Sequence, residues 1–150
     1  MISPLLLVLH LLAAVVWVGG MFLSHMALRP ASGFLEVPER VVLWHGVFRR
    51  FFPWVWVAAL VLPSTGYAMI AQKWGALMVA PLSVQLMHAI GWIMIGIFIY
   101  VFLRYFRSMD YMIKQKLYPE AGIRLLRIRP LMALNLALGL SVVVLAALRF

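Results

Sequence analysis

The chain has 150 residues, of which 66% are hydrophobic and only 11% charged, with a mean hydropathy of +1.04. A soluble globular domain carries about a quarter charged residues, so these figures exclude one and make a bilayer the solvent. The net charge of +9 would suggest nucleic acid in a soluble protein. In a membrane chain it has to be read by position relative to the bilayer, with no nucleic acid implied. The absence of cysteine excludes disulfides, zinc ribbons, thiolate-held iron–sulfur clusters and thiol catalysis, leaving histidine and methionine for any metal chemistry.

A membrane-crossing helix needs about 20 apolar residues. Uncharged runs of that length occur four times, at Met1 to Leu28, Phe51 to Gln72, Trp74 to Leu103 and Leu131 to Leu148. They predict a single domain over 1–150, an all-α, integral membrane, four-helix antiparallel bundle with spans at about 3–28, 52–72, 79–103 and 130–148. The first run lacks a basic n-region and is longer than a signal peptide's apolar stretch, so it reads as a retained helix.

Charge orients the spans. Arg29, Arg40, Arg49 and Arg50 lie on the first connection, and Arg104, Arg107, Lys114, Lys116, Arg124, Arg127 and Arg129 on the third. Only Lys73 and Arg149 lie on the other side. The positive-inside rule therefore puts both long connections in the cytoplasm and both termini on the outer, periplasmic side of a cytoplasmic (inner) membrane. Pro38-Glu39 and Pro119-Glu120 suit the first turn of a helix. Each predicts a short cytoplasmic interfacial helix, the first offering Val41, Val42, Trp44 and Phe48 to lipid and the second Ile123, Leu126 and Ile128.

An ionisable residue inside a span is a functional hypothesis by default, and His10 and His88 qualify. At 1.5 Å per residue both lie roughly 10–14 Å below the outer surface. His10 shares a helix stripe with Ala13, Ala14, Trp17 and Met21, and His88 shares one with Val84, Gly91, Trp92, Ile95 and Ile99. Ser64, Thr65 and Tyr67 of the second span and Ser141 of the fourth reach the same layer. Two such imidazoles across a gap lined by small and aromatic residues suit a six-coordinate haem b. Lys73 and Arg149 would be available to its propionates, and Tyr67, Trp17 and Trp92 would tune the pocket. The plain alternative is that each histidine hydrogen-bonds within the bundle. Copper is another: Met21, Met26, Met78, Met87 and Met94 offer thioethers, although methionine is also a common apolar filler. His25 and His45 sit near the basic connections, where histidines are usually solvated. Asn135 reads as interhelical glue, with Ala133, Ala137 and Ser141 as a stripe for close approach.

The run Leu9-His10-Leu11-Leu12-Ala13-Ala14-Val15-Val16-Trp17-Val18-Gly19-Gly20 resembles the first-helix signature of the copper-resistance D family and the related HemJ-type protoporphyrinogen oxidases. The likeness continues through Val47 to Tyr67, Met87-His88-Ala89 and Asn135 to Gly139. It implies a four-helix membrane protein and, on the HemJ branch, haem b and porphyrinogen oxidation, with His10 and His88 matching the family's first-helix and third-helix histidines. HemJ-like proteins carry a lysine where this chain has Ile90, and an Asn-Glu-x-Pro stretch where it reads Ile128-Arg129-Pro130-Leu131. These departures favour the copper-resistance D side.

Together these readings predict a membrane haem b protein of cytochrome b type, ligated by His10 and His88. It would serve as an electron-transfer or oxidoreductase subunit whose partner is a quinone or a redox protein. Copper transport or resistance is the alternative and a HemJ-like oxidase a further one. Wide apolar faces would allow a homodimer.

Overall fold

The computed structural model describes residues 2–148; Arg149, one of the two outer cations expected near a cofactor, lies outside the described residues. The described chain forms four helices: α1 (Pro4–Ala31), α2 (Val37–Trp74), α3 (Leu82–Lys114) and α4 (Tyr118–Leu148). A single 3₁₀ turn, Leu77–Val79, interrupts the connection between α2 and α3. All four helices are long and apolar enough to cross a membrane, and the chain is an all-α, multi-pass membrane four-helix bundle.

Local chemistry explains the helix ends. Pro4, Pro38 and Pro119 stand in first turns, where a missing N–H costs nothing. α2 stops at Gly75, whose φ of 79° is open to glycine, and the Gly75 N–H donates back to the carbonyls of Ile70 and Ala71. α3 stops with Lys116 in the left-handed region at φ 58°. There the Lys116 N–H reaches the Ile113 carbonyl and the Leu117 N–H the Met112 carbonyl, both at 2.9 Å, the two bonds of a Schellman cap.

α2 and α4 run side by side through the middle, with α1 packed chiefly on α2 and α3 chiefly on α4. The two outer helices meet at mid-depth, where Trp17 lies edge-on to Phe98 with centroids 6.1 Å apart. Close approach is built in at two glycines. A Cβ on Gly20 would overlap the Phe51 ring, and one on Gly139 would lie 2.9 Å from Val18 Cγ2 and 3.2 Å from the Met94 methyl. The small-residue contact of α4 therefore falls on Gly139, while Ala137 of the expected stripe is exposed. Asn135 does join helices as expected, its Nδ2 donating to the Met94 carbonyl at 3.3 Å.

The cytoplasmic-type interfacial helices are not separate elements. Pro38-Glu39 and Pro119-Glu120 do open helices, but these continue unbroken into α2 and α4. At 38 residues, α2 is about 57 Å long, well beyond a hydrocarbon core of about 30 Å. The side chains expected to meet lipid are divided: Val42, Ile123 and Leu126 are exposed, while Val41, Trp44, Phe48 and Ile128 are buried inside the bundle. The cause is a helical period that runs through the charged segments. Val41, Trp44, Phe48, Phe52 and Val55 form one stripe on α2, and Ala121, Leu125, Ile128, Met132 and Leu136 another on α4. Each stripe passes from the arginine-rich end into the apolar span, so the core extends with it. The end carrying the arginines is called the basic end below, and the end carrying Lys73 the distal end.

The basic end is also tied by hydrogen bonds. Trp44 Nε1–H donates to Ser32 Oγ, and that hydroxyl donates to the Arg29 carbonyl, each at 3.1 Å. Asp110 on α3 accepts from Lys114 at 2.6 Å and pairs at 2.8 Å with His45 on α2, whose ring stacks on Phe106. His45, expected to be solvated, is thus a bridge between two helices.

Candidate functional site

The distal half holds the residues singled out for chemistry, and two contacts organise them. On α1, His10 is half-buried against α2, its Nδ1 lying 2.8 Å from Thr65 Oγ1. The Thr65 hydroxyl donates at 2.6 Å to the Val61 carbonyl one turn back. With its proton directed there, the Thr65 oxygen accepts from His10 when the imidazole is protonated at Nδ1, the tautomer that leaves the Nε2 lone pair available. Gly66 completes the seat, since a Cβ there would meet His10 Cε1 at 3.6 Å.

On α3, His88 has the complementary arrangement. Trp92 Nε1–H donates to His88 Nε2 at 3.1 Å, which makes Nε2 the acceptor and Nδ1 the protonated nitrogen. Tyr67 of α2 stands edge-on to the His88 ring with centroids 4.3 Å apart. Tyr67 and Trp92 are each about half exposed, at 47% and 49%, and a Cβ on Gly91 would meet nothing within 4 Å. This face of the bundle is open.

Both imidazoles contact one stretch of α2, His10 at Thr65 and His88 at Tyr67, two residues or about 3 Å apart along the helix axis. They lie against different faces of that helix, since each residue turns the helix by about 100°. Among the described residues the two rings share no contact, and α1 and α3 meet deeper, at Trp17 and Phe98.

The remaining expected site residues are distributed as follows. Trp17 is a core residue two turns below His10. Ala14 is half-buried on the same helix. Lys73 is exposed, its Nζ 4.5 Å from the centroid of the Trp74 ring. Ser64 and Ser141 spend their hydroxyls on the Leu60 and Leu138 carbonyls of their own helices. Of the methionines, Met21 and Met94 belong to the core, Met26 and Met78 are exposed, and Met87, beside His88 in the chain, is half-buried.

These positions test the fit of a haem. His10 suits an axial ligand, because a hydrogen-bonded Nδ1–H orients the ring and leaves Nε2 basic. His88 already spends its Nε2 on Trp92, whereas His10 keeps its Nε2 unspent, so of the two His10 is the better placed to hold iron as the side chains stand. A cavity of about 20 Å³ lies beside Trp17, Phe98 and Asn135 and is water-sized. Asn135 Oδ1 is buried there without a partner.

Comparison with protein-family models, with curated proteins and with solved structures finds no match to this chain.

Proposed function

We propose that this protein is a small membrane redox carrier, with His10 as an axial ligand of haem b on the copper-resistance D pattern and the basic end facing the cytoplasm. The observation that carries this reading is the relay from His10 Nδ1–H through Thr65 Oγ1 to the Val61 carbonyl. It supplies the supporting hydrogen bond that a metal-binding imidazole characteristically has. Haem b would contribute one-electron transfer. The chain's own residues hold the ring plane of His10, fix its tautomer and leave one nitrogen free toward the distal half.

His88 takes a different role in this proposal. With Trp92 on Nε2, its Nδ1–H is a hydrogen-bond donor on an open face beside Tyr67 and Trp92. A donor flanked by aromatic rings suits the carbonyl of a membrane quinone, the redox partner we assign to this face.

An absorption spectrum of the detergent-purified protein, expressed with haem supplied, tests the proposal. A Soret band and a reduced α band lost in His10→Ala and kept in His88→Ala support it. Loss in both variants would mean that the two histidines share the iron in some other arrangement. No porphyrin in the wild-type preparation would overturn haem binding, and copper in its place, by metal analysis, would move the assignment to copper handling.

A further inference from the structure

The basic end carries a second feature, independent of the histidines. Arg29 lies near the end of α1, Arg40 near the start of α2 and Arg129 on α4, and contacts between neighbouring residues draw the three helices together at this end. The fold holds them together. Ser32, pinned between Trp44 Nε1 and the Arg29 carbonyl, fixes the end of α1 onto α2. On α4, Gly122 packs against Val37 and Val41 beside Arg40, and Arg129 follows two turns further along the same face.

Among the described residues no acid forms an ion pair with this group. The sequence has four acids. Asp110 is taken by His45 and Lys114. Glu36, Glu39 and Glu120 are exposed, and among the described residues none lies within 4 Å of an arginine nitrogen. The Nε of Arg129 is buried without a hydrogen-bond partner. Arg29 is exposed and Arg40 and Arg129 are partly exposed, so the group is open to an anion that would offset like-charge repulsion and accept from the buried Nε of Arg129. Guanidinium forks match phosphate oxygens.

An apolar groove adjoins them. It runs between α1 and α2 along Gly20, Leu23, Ala27, Leu28, Val47 and Phe51, with a volume of about 490 Å³. Leu28 precedes Arg29 in the chain, and Val47 and Phe51, seven and eleven residues beyond Arg40, share its face of α2. The groove thus leads from the apolar span to the arginines.

We infer that the basic end is a binding site for an anionic phospholipid, its phosphate held by Arg29, Arg40 and Arg129 and one acyl chain lying in the groove between α1 and α2. The site does not depend on the histidines or on any cofactor. It turns part of the positive charge from a general preference for one side of the membrane into a defined headgroup contact.

Native mass spectrometry of the full chain in detergent, with phosphatidylglycerol and phosphatidylcholine supplied together, tests the inference. The expected result is retention of phosphatidylglycerol over phosphatidylcholine, weakened about tenfold by Arg129→Gln or Arg40→Gln. Arg107→Gln, at an exposed position on α3, should leave retention unchanged. Arg129→Lys keeps the charge and loses the fork, and should fall between wild type and Arg129→Gln. Equal retention in all four variants would overturn the inference by showing a diffuse basic attraction. Displacement of phosphatidylglycerol by millimolar inorganic phosphate would also overturn it, in favour of a soluble anion site.

Discussion

The two halves of the bundle are built differently. In the basic half Val41, Phe48, Met109, Ala121 and Ile128 are almost wholly enclosed, and rings pack in contact from Phe48 to Phe52 and on to Phe98 and Phe106. In the distal half His10 and His88 are half-buried, and Tyr67 and Trp92 are half exposed. Hydrogen bonds there run between side chains and nearby helix carbonyls or rings, as at Thr65 and Trp92. The densely packed half holds four long helices in register, and the looser half leaves side chains open to a ligand. The charge distribution hides this contrast, because the half with most charge also has the tightest core.

The strongest way to break the comparison is to empty the basic core. Phe48 is fully enclosed and touches rings on α2 and α3. Phe48→Ala should cost about 3–5 kcal/mol, read as a large drop in thermal midpoint in detergent. Trp92→Ala, which removes a larger but half-exposed ring, should cost much less. Equal losses would show that the distal face is buried in the assembled protein.

The adjacent glycines Gly19 and Gly20 of α1 sharpen the comparison at mid-depth. Gly20→Ala should cost about 1–3 kcal/mol, because its Cβ meets the Phe51 ring, whereas a Cβ on Gly19 meets nothing within 4 Å and Gly19→Ala should be close to neutral. Thermal melts of the two variants side by side check this. A matching loss at Gly19 would place another molecule against that surface of α1.

Much of this architecture was legible in the sequence, and the parts that were not have identifiable causes. The apolar runs located all four helices, and proline with glutamate located the starts of α2 and α4. The runs did not reveal how far the helices extend. A 20-residue hydropathy criterion stops at the first arginine, whereas the packing stripe Val41-Trp44-Phe48 continues through arginines that project from other faces. At the site, depth could be counted along each span, and both histidines contact the Thr65-to-Tyr67 stretch of α2. Facing could not be counted, because it depends on how α1 and α3 sit around α2, which tertiary packing decides. Thr65 was visible as a polar group in the right layer, but its role follows from geometry. The arginine cluster brings together positions 29, 40 and 129 from three helices, and only the folded chain shows that they converge.

Thr65→Val probes the distal half directly. It keeps the shape of the side chain, removes the acceptor for His10 Nδ1–H, and should cost about 1 kcal/mol. Its larger effect should be on the imidazole: without the partner that fixes its tautomer, any ligand held through Nε2 should bind about 10- to 100-fold more weakly. A spectral titration with haem would measure this. Unchanged binding in Thr65→Val would separate His10 from ligand holding and leave the hydrogen bond a packing device.

Gly91→Ala has the smallest expected effect and bears most directly on what covers the open face. The glycine lies within α3 one turn from His88, and a Cβ there would meet nothing within 4 Å. Alanine is the better helix former by up to about 1 kcal/mol, so an uncovered face predicts a small gain in thermal midpoint. A bound quinone, or a second copy of the chain pressed against Tyr67, His88 and Trp92, would reverse the sign, because the added methyl would then meet an occupied surface. Melting the variant with and without added ubiquinone distinguishes the two occupants. A gain in both conditions means that the face meets only lipid, a loss confined to the quinone sample places the headgroup beside Gly91, and a loss in both places another chain there.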